Sequence, residues 1–203
     1  MKIICIGRNY AEHAKEMKAE TPTEPVFFMK PDTALLLNND PFYFPKFSNE
    51  VHHEVEVVLK INKNGKNIQK QFASKYYEEV GVGIDFTARD LQAICKTKGL
   101  PWEKAKSFDS SGVVGTMRSK EHYKNLSSLS FRLDINGKTV QEGNTKDVIF
   151  SFDAIIEYVS QYVTLRTGDL IFTGTPVGVG PVKIGDRLEA YLEDEKLLDF
   201  EVK

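Results

Sequence analysis

No stretch of this 203-residue chain approaches the ~20 consecutive apolar residues that a membrane span needs. Neither sign of charge prevails. Twenty-seven Lys and Arg against 29 Asp and Glu leave a net charge of −2, which gives no reason to expect nucleic acid or a membrane as partner. Cysteine is scarce: Cys5 and Cys95 stand far apart without CxxC spacing, the usage of a reduced, cytoplasmic protein. At the N-terminus, Ile3-Ile4-Cys5-Ile6 is too short for the apolar core of a signal peptide. The single tryptophan, Trp102, and the aromatic run FYF (42–44) read as core or interface rather than base-stacking platforms, given the net charge. GTPVGVG (174–180) is glycine-rich but lacks the Gly-Lys-Ser/Thr ending of a phosphate loop, so nucleotide binding is not expected. There is no internal repeat, low-complexity tract or linker-like break in composition, and residues 1–203 read as one domain.

What is present is mostly strand. KIICIG (2–7), VFFMK (26–30), HHEVEVVLKI (52–61), FRLDI (131–135), GDLIFTG (168–174), DRLEAYL (186–192) and LLDFEV (197–202) are apolar, β-branched or alternating. Asn64-Gly65 and Asn136-Gly137 each predict a tight hairpin. Three segments read as helices. NYAEHAKEM (9–17) is short, TARDLQAICKTKG (87–99) opens on a Thr87/Asp90 capping-box-like start, and SFDAIIEYVSQYV (151–163) has Ser151 as its N-cap. The fold class expected is β-rich α+β with a few short helices.

The segment HHEVEVVL poses a problem in electrostatics. Side chains at i and i+2 of a strand share a face, so His52, Glu54 and Glu56 point one way and His53, Val55 and Val57 the other. The two glutamate backbones are only ~6.6 Å apart, and like charges on one face cost stability. Both heads can converge on a hard cation such as Mg²⁺, Mn²⁺ or Ca²⁺. EVEV alone is the commonest antiparallel pattern and by itself favours a solvent-facing strand whose acids are hydrated or paired with lysines. A third acid, Asp85, ends the strand-like GVGID (81–85); by itself it is also an ordinary turn or cap residue. His13 and Glu16 lie three apart, within reach on one helix face. That spacing suits a carboxylate orienting a general base, and equally a solvated pair.

GRNYAEHAKEM (7–17), EPVFFMKP (24–31), HHEVEVVL (52–59), GIDFTARDLQ (83–92), KGLPWEKAKSFD (98–109), QEGNTKDVIFS (141–151) and GDLIFTGTPVGVGPVKIGD (168–186) occur in this order over almost the whole chain. In this the sequence resembles the fumarylacetoacetate hydrolase family, and its length and GRNYAEH opening resemble the short acylpyruvate hydrolase and oxaloacetate decarboxylase branch. The resemblance implies a mixed β-sandwich roll, a divalent metal and a homodimer. By position it implies Glu54, Glu56 and Asp85 as metal ligands. It places His13 and Glu16 on a mobile lid spanning residues 8–20, and makes Lys106 the active-site lysine. Lys30, Arg89, Gln92 and Thr175 fall on its substrate-lining positions. One departure is visible: SSGVVG (110–115) follows KSFD where many relatives carry a Pro-Leu-Gly-type stretch.

The expectation drawn is a Mg²⁺- or Mn²⁺-dependent enzyme that cleaves a C–C bond in a small 2-oxo acid. Acylpyruvate hydrolysis would use water activated by His13 and Glu16, while oxaloacetate decarboxylation would need none. Two alternatives stand beside it: an isomerase or tautomerase of 2-hydroxydienoates or oxaloacetate, and a non-catalytic β domain holding a structural Ca²⁺.

Overall fold

The computed structural model describes residues 1–16 and 20–203. The apolar runs become strands β1 (Ile3–Ile6), β2 (Phe27–Lys30), β3 (Leu35–Leu36), β4 (Val51–His53), β5 (Val55–Ile61), β6 (Tyr77–Asp85), β7 (Thr87–Ala88), β8 (Gly112–Val114) and β9 (Arg118–Ser119). The second part of the chain adds β10 (Ser130–Ile135), β11 (Lys138–Asn144), β12 (Leu170–Phe172), β13 (Gly180–Pro181), β14 (Arg187–Leu192) and β15 (Glu195–Glu201). Between them lie helices α1 (Ala11–Glu16), α2 (Lys70–Ala73), α3 (Arg89–Lys98), α4 (Glu103–Lys106) and α5 (Phe152–Tyr162).

The main sheet runs β2-β1-β12-β5-β6-β8-β3, with β9 added on β6. It is mixed: β1 with β12 and β3 with β8 are parallel, while β5 with β6 and β12 with β5 are antiparallel. A second sheet, β11-β10-β14-β15, and a short third one, β13-β4-β7, complete the β-rich α+β architecture expected from the sequence.

Strand alternation explains how this sheet acquires two different faces. Val57 and Leu59 of β5 and Val80, Val82 and Ile84 of β6 enter the large core with Leu133, Leu188, Ala190 and Leu198 of the second sheet. The buried face of α5, formed by Phe152, Ile155, Ile156 and Val159, joins the same core. Each such side chain contributes about 1.5–3 kcal/mol of burial, so this cluster dominates stability. Val58 points the other way, into a smaller cluster with Ile3, Cys5, Leu170 and Phe172. By the same alternation Glu56 and Asp85 lie on that second face. The sheet thus offers a polar site on the side opposite its main core.

The two Asn-Gly pairs behave differently. Asn136 (φ 53°) and Gly137 (φ 76°) form the expected two-residue turn between β10 and β11, both central residues left-handed. Asn64-Gly65 does not form a hairpin. Gly65 instead bridges Leu165, and β5 reaches β6 only after a connection that contains α2. The tertiary partner at Leu165 overrides the local turn preference.

Ser151 caps α5 as expected, its Oγ accepting from the Ala154 N–H at 3.3 Å. The expected capping box at Thr87 is corrected. Helix α3 begins at Arg89 with no side-chain cap, because Thr87 is paired in β7 with His52. Asp90 is spent on a neighbouring loop, accepting from Ser48 Oγ at 2.7 Å and the Asn49 N–H at 2.9 Å.

Candidate active site

HHEVEVVL is not one continuous strand. The ladder breaks at Glu54, between β4 and β5. The Glu54 carbonyl accepts from the Asp85 N–H at 2.8 Å, and the Val55 N–H donates to Gln141 Oε1 at 3.1 Å. This break, with Glu56 facing Gly83 across the β5–β6 ladder, turns Glu54, Glu56 and Asp85 toward one point. One oxygen from each lies within 4.8 Å of the others, and the residues are 6, 1 and 1 % exposed. The solvent-facing reading of EVEV therefore does not hold.

Buried carboxylates need partners, and the three are served unequally. Glu54 accepts from Arg89 Nη2 at 2.7 Å and from Lys106 Nζ at 2.6 Å. Lys106 Nζ also donates to Asp85 Oδ2 at 2.9 Å. Lys30 Nζ pairs with Asp85 Oδ1 at 2.8 Å. Glu56 receives only the Gly174 N–H, at 2.6 Å, and among the described residues it has no cationic partner. Burial, reinforced by the charges of Asp85 and Glu54, pushes its carboxyl well above the usual range. At Glu54 burial acts in the same sense but loses to Lys106 and Arg89, and the pKa is lowered. Lys106 likewise stays firmly protonated, because Asp85 and Glu54 outweigh the cost of its burial.

Three buried hard-oxygen donors fit a divalent cation. Glu56 has no cationic partner among the described residues, and a cation beside it would favour the ionised carboxylate that burial and its acidic neighbours otherwise disfavour.

Beside Glu54 opens a cleft of about 290 Å³, whose wall does not include Glu16, Glu56 or Asp85. Of the residues singled out in the sequence, His13, Glu54, Arg89, Gln92 and Lys106 line it. His13 Nδ1 lies 2.9 Å from Glu16 Oε2, and Glu16 Oε1 accepts from the Gly178 N–H at 3.0 Å. The lid segment is described only in part, since residues 17–19 lie outside the described residues. Lys30 and Thr175 are not on the cleft wall. Lys30 is buried beneath it, donating to Ser111 Oγ at 3.0 Å and to the Lys106 carbonyl. Thr175 is buried within the GTPVGVG loop, its Oγ1 accepting from Gln141 Nε2 at 3.0 Å.

The departing SSGVVG stretch serves the site. Ser111 Oγ bridges Lys30 and the Lys106 carbonyl, and Gly112–Val114 forms β8 beside β6. Gly174 needs its glycine: φ is 105°, and a Cβ there would lie 2.6 Å from Asn9 Cβ.

Sequence reasoning missed several participants. Arg8, Phe28 and Lys96 also line the cleft. Trp102, expected in core or interface, lines it too, packed on Phe28 at 6.1 Å between ring centroids. Gln141 joins His53 Nδ1 (2.7 Å), Val55, Thr175 and the Pro176 carbonyl in one buried knot. Its only sequence signal was its place in QEGNTKDVIFS.

Comparison with known proteins agrees with this fold. Residues 2–202 match the family model described as fumarylacetoacetate (FAA) hydrolase C-terminal. Mouse (Mus musculus) oxaloacetate tautomerase FAHD1, mitochondrial, is 45 % identical over 201 residues, covering 99 % of this chain and 91 % of the relative. The crystal structure of fumarylpyruvate hydrolase from Pseudomonas aeruginosa in complex with Mn²⁺ and pyruvate superposes with a TM-score of 0.94 at 33 % identity, covering 100 % of this chain and 89 % of that one. That of 5-carboxymethyl-2-hydroxymuconate delta-isomerase from Mycobacterium smegmatis gives 0.87 at 33 %, covering 99 % and 78 %.

Proposed function

This chain belongs to the fumarylacetoacetate hydrolase family, and from that premise we propose that it moves a proton at C3 of a small 2-oxo acid of the oxaloacetate kind, interconverting keto and enol forms. The observation that carries the reading is the buried Glu54–Glu56–Asp85 set, which reaches through Glu54 a cleft that His13 and Lys106 also line. The name of the mouse relative supports this choice among the reactions its relatives are named for.

Glu54, Glu56 and Asp85 would hold Mg²⁺ or Mn²⁺, and the Mn²⁺ of the Pseudomonas relative supports that assignment. A cation there would polarise the 2-oxo group and offset the negative charge that grows on its oxygen. Lys106 brings a second, fixed positive charge to the same oxygen, and its low-dielectric surroundings make that charge effective. His13 spends Nδ1 on Glu16, which leaves Nε2 for the C3 proton. Glu16 holds the ring and favours the imidazolium that results. The proton removed from C3 is then delivered to the enolate oxygen, and the enol leaves. Arg89 and Gln92, joined at 2.7 Å, receive the substrate carboxylate from α3. Lys30 and Thr175 act from behind the wall: Lys30 fixes Asp85, and Thr175 anchors the loop whose Gly174 N–H holds Glu56.

Acylpyruvate hydrolysis is the second reading, favoured by the His13–Glu16 pair at the cleft. There the pair activates water for attack on the distal acyl carbonyl, and the C–C bond breaks to release pyruvate as its enolate. Decarboxylation of oxaloacetate shares that enolate and requires no water. A structural Ca²⁺ has no use for His13 and Lys106 at the same cleft.

The test follows enol-oxaloacetate absorbance and pyruvate release together, with acetylpyruvate in parallel. Enzyme-accelerated ketonisation without pyruvate release supports proton transfer. Stoichiometric pyruvate from acetylpyruvate moves the assignment to hydrolysis.

We propose further that residues 1–203 act as one catalytic domain with a lid over residues 8–20, and that two copies pair. Exposed Tyr43, Phe47 and Ile184 are apolar surface that pairing would cover. Sedimentation at twice the chain mass is the result expected. Among the described residues no helix is long and apolar enough to cross a membrane, and Cys5 and Cys95 are both buried and unpaired. A reducing compartment such as the cytoplasm suits those thiols, while the mouse relative is named mitochondrial.

A further inference from the structure

Gln141 is buried on β11, 2 % exposed, and its amide uses every hydrogen-bonding position it has. Oε1 accepts from the Val55 N–H at 3.1 Å and meets His53 Nδ1 at 2.7 Å. Nε2 donates to Thr175 Oγ1 at 3.0 Å and to the Pro176 carbonyl at 3.1 Å. The partners fix which end is which. A backbone N–H only donates and a carbonyl only accepts, so the amide cannot be turned over. By the same logic His53 Nδ1 is the ring nitrogen that carries hydrogen.

A saturated buried amide is ordinarily a device of stability. What sets this one apart is the chain on either side of its partners. Val55 stands between Glu54 and Glu56, at the break that separates β4 from β5. Thr175 follows Gly174, whose N–H is the one donor to Glu56 among the described residues. Two residues beyond Pro176, the Gly178 N–H donates to Glu16 Oε1 at 3.0 Å, and Glu16 Oε2 lies 2.9 Å from His13 Nδ1. The loop sits tightly on β11. A Cβ at Gly178 would lie 2.6 Å from the Val140 carbonyl oxygen and 3.3 Å from Gln141 Cγ. Gln141 itself is not on the cleft wall.

We propose that Gln141 is a positioning residue. One amide sets both the backbone that aims Glu54 and Glu56 and the loop whose N–H groups hold Glu56 and Glu16, so it governs cation affinity and turnover together. Without its donor end the turn from Thr175 to Gly178 is released, and with it the hydrogen bond that fixes the Glu56 head. Without its acceptor end the Val55 N–H is left unpaired at the break. This rests on the proposed cation at Glu54, Glu56 and Asp85 and on proton transfer at the cleft, and extends both to a residue outside the cleft.

Three variants test it. Gln141→Met keeps the length and removes the amide, Thr175→Val keeps the shape and removes one acceptor, and Thr175→Ser keeps the hydroxyl. Calorimetry with Mn²⁺ alone reads cation affinity without turnover. Ketonisation of enol-oxaloacetate at saturating Mn²⁺ reads kcat and KM, and melting in EDTA reads stability. Gln141→Met should bind Mn²⁺ roughly tenfold more weakly and lose about 10- to 100-fold in kcat, the usual cost of removing a group that orients a metal's ligands. KM should stay within about threefold, because Arg89 and Gln92 are untouched. Thr175→Val should weaken Mn²⁺ in the same direction, and Thr175→Ser should keep wild-type affinity. The double variant of Gln141→Met with Thr175→Val should lose less than the product of the two single losses, since both cut one connection.

A Gln141→Met protein that melts lower yet matches the wild type in Mn²⁺ affinity and kcat would reduce the residue to a structural role and overturn the proposal. So would independent, multiplying losses in the double variant. Should Gln141→Met fail to fold, the Thr175 pair decides, and wild-type Mn²⁺ affinity in Thr175→Val would overturn it. A wild type that binds Mn²⁺ but leaves enol-oxaloacetate unchanged would overturn the proton-transfer reading instead, with the Mn²⁺ affinities still deciding the role of Gln141. A wild type that binds no Mn²⁺ would overturn both.

Discussion

The Gly174 N–H donates to Glu56 Oε2 at 2.6 Å, and among the described residues it is the only donor that carboxylate has. Glu54 is paired with Arg89 and Lys106, and Asp85 with Lys106 and Lys30, so two acids of the set have cationic partners and the third has none among the described residues. A buried, unpaired carboxylate lowers stability, which is why the proposed cation belongs beside Glu56.

Glu56→Gln keeps the shape and removes the charge. In EDTA the variant should melt no lower than the wild type, because the wild-type group is itself driven toward its neutral form. Added Mg²⁺ or Mn²⁺ should raise the melting temperature of the wild type by mass action and leave Glu56→Gln unmoved. A thermal-shift titration measures both. An equal rise in the two proteins would remove Glu56 from the metal set.

His13→Ala should divide the chemistries. Proton exchange at C3 and acylpyruvate hydrolysis both need the imidazole and should fall about 10²–10⁴-fold, the usual span for a general base. Oxaloacetate decarboxylation needs neither base nor water and should fall far less, whereas Glu54→Ala should abolish all three. Parallel assays on oxaloacetate and acetylpyruvate decide it, and equal losses in every reaction for His13→Ala would remove its acid–base role.

How the site is read from sequence depends on what each residue's neighbours reveal. The period-2 spacing of Glu54 and Glu56 and the strand-end place of Asp85 are local facts that allowed a convergence without deciding it; the family resemblance singled the three out, and the fold brings their oxygens together. Asn136-Gly137 was legible because its turn is purely local, whereas Asn64-Gly65 failed because Leu165, a hundred residues on, competes for Gly65. Lys106, Arg89, Gln92 and Lys30 stood out only through family resemblance, since nothing in the pattern of one lysine announces burial between two acids. Arg8, Lys96, Trp102 and Gln141 gave no local signal. Arg8, Lys96 and Trp102 come together only at the cleft, and Gln141 only where β11 meets the break between β4 and β5, which no short window contains.

Gly83 tests the close packing behind the acids. A Cβ there would lie 2.5 Å from the Val113 carbonyl oxygen and 2.9 Å from both Phe172 and Val58. Because the nearest atom belongs to backbone, the sheet itself must shift. Gly83→Ala should lose about 1–3 kcal/mol in denaturant unfolding, the usual cost of overpacking. A loss below about 0.5 kcal/mol would show that the β6–β8 pairing yields easily.

Acid should loosen the second sheet at Asp199. The Arg187 guanidinium, bonded at 2.8 Å, and Lys196 at 2.9 Å outweigh partial burial and hold its pKa at about 2. A carboxylate with a lowered folded pKa stabilises above its unfolded value of 3.8 and loses that contribution as pH falls toward 2. The stability difference between wild type and Asp199→Asn should therefore be constant from pH 7 to about 5 and shrink below pH 4. Solvent exposure of the partners keeps the effect small. Urea titrations at stepped pH measure it, and a difference that grows on acidification would contradict the pairing.

The central claim is a cation-dependent proton transfer at C3 in the cleft beside the Glu54–Glu56–Asp85 set. The most direct measurement is the initial rate of enol-oxaloacetate ketonisation, taken in Mg²⁺ and again in EDTA, for the wild type and Glu56→Ala. The account predicts a wild-type rate well above that of free metal, lost in EDTA, restored by Mg²⁺, and absent from Glu56→Ala at every metal concentration. A wild-type rate that survives EDTA, or one that Glu56→Ala retains, would contradict it.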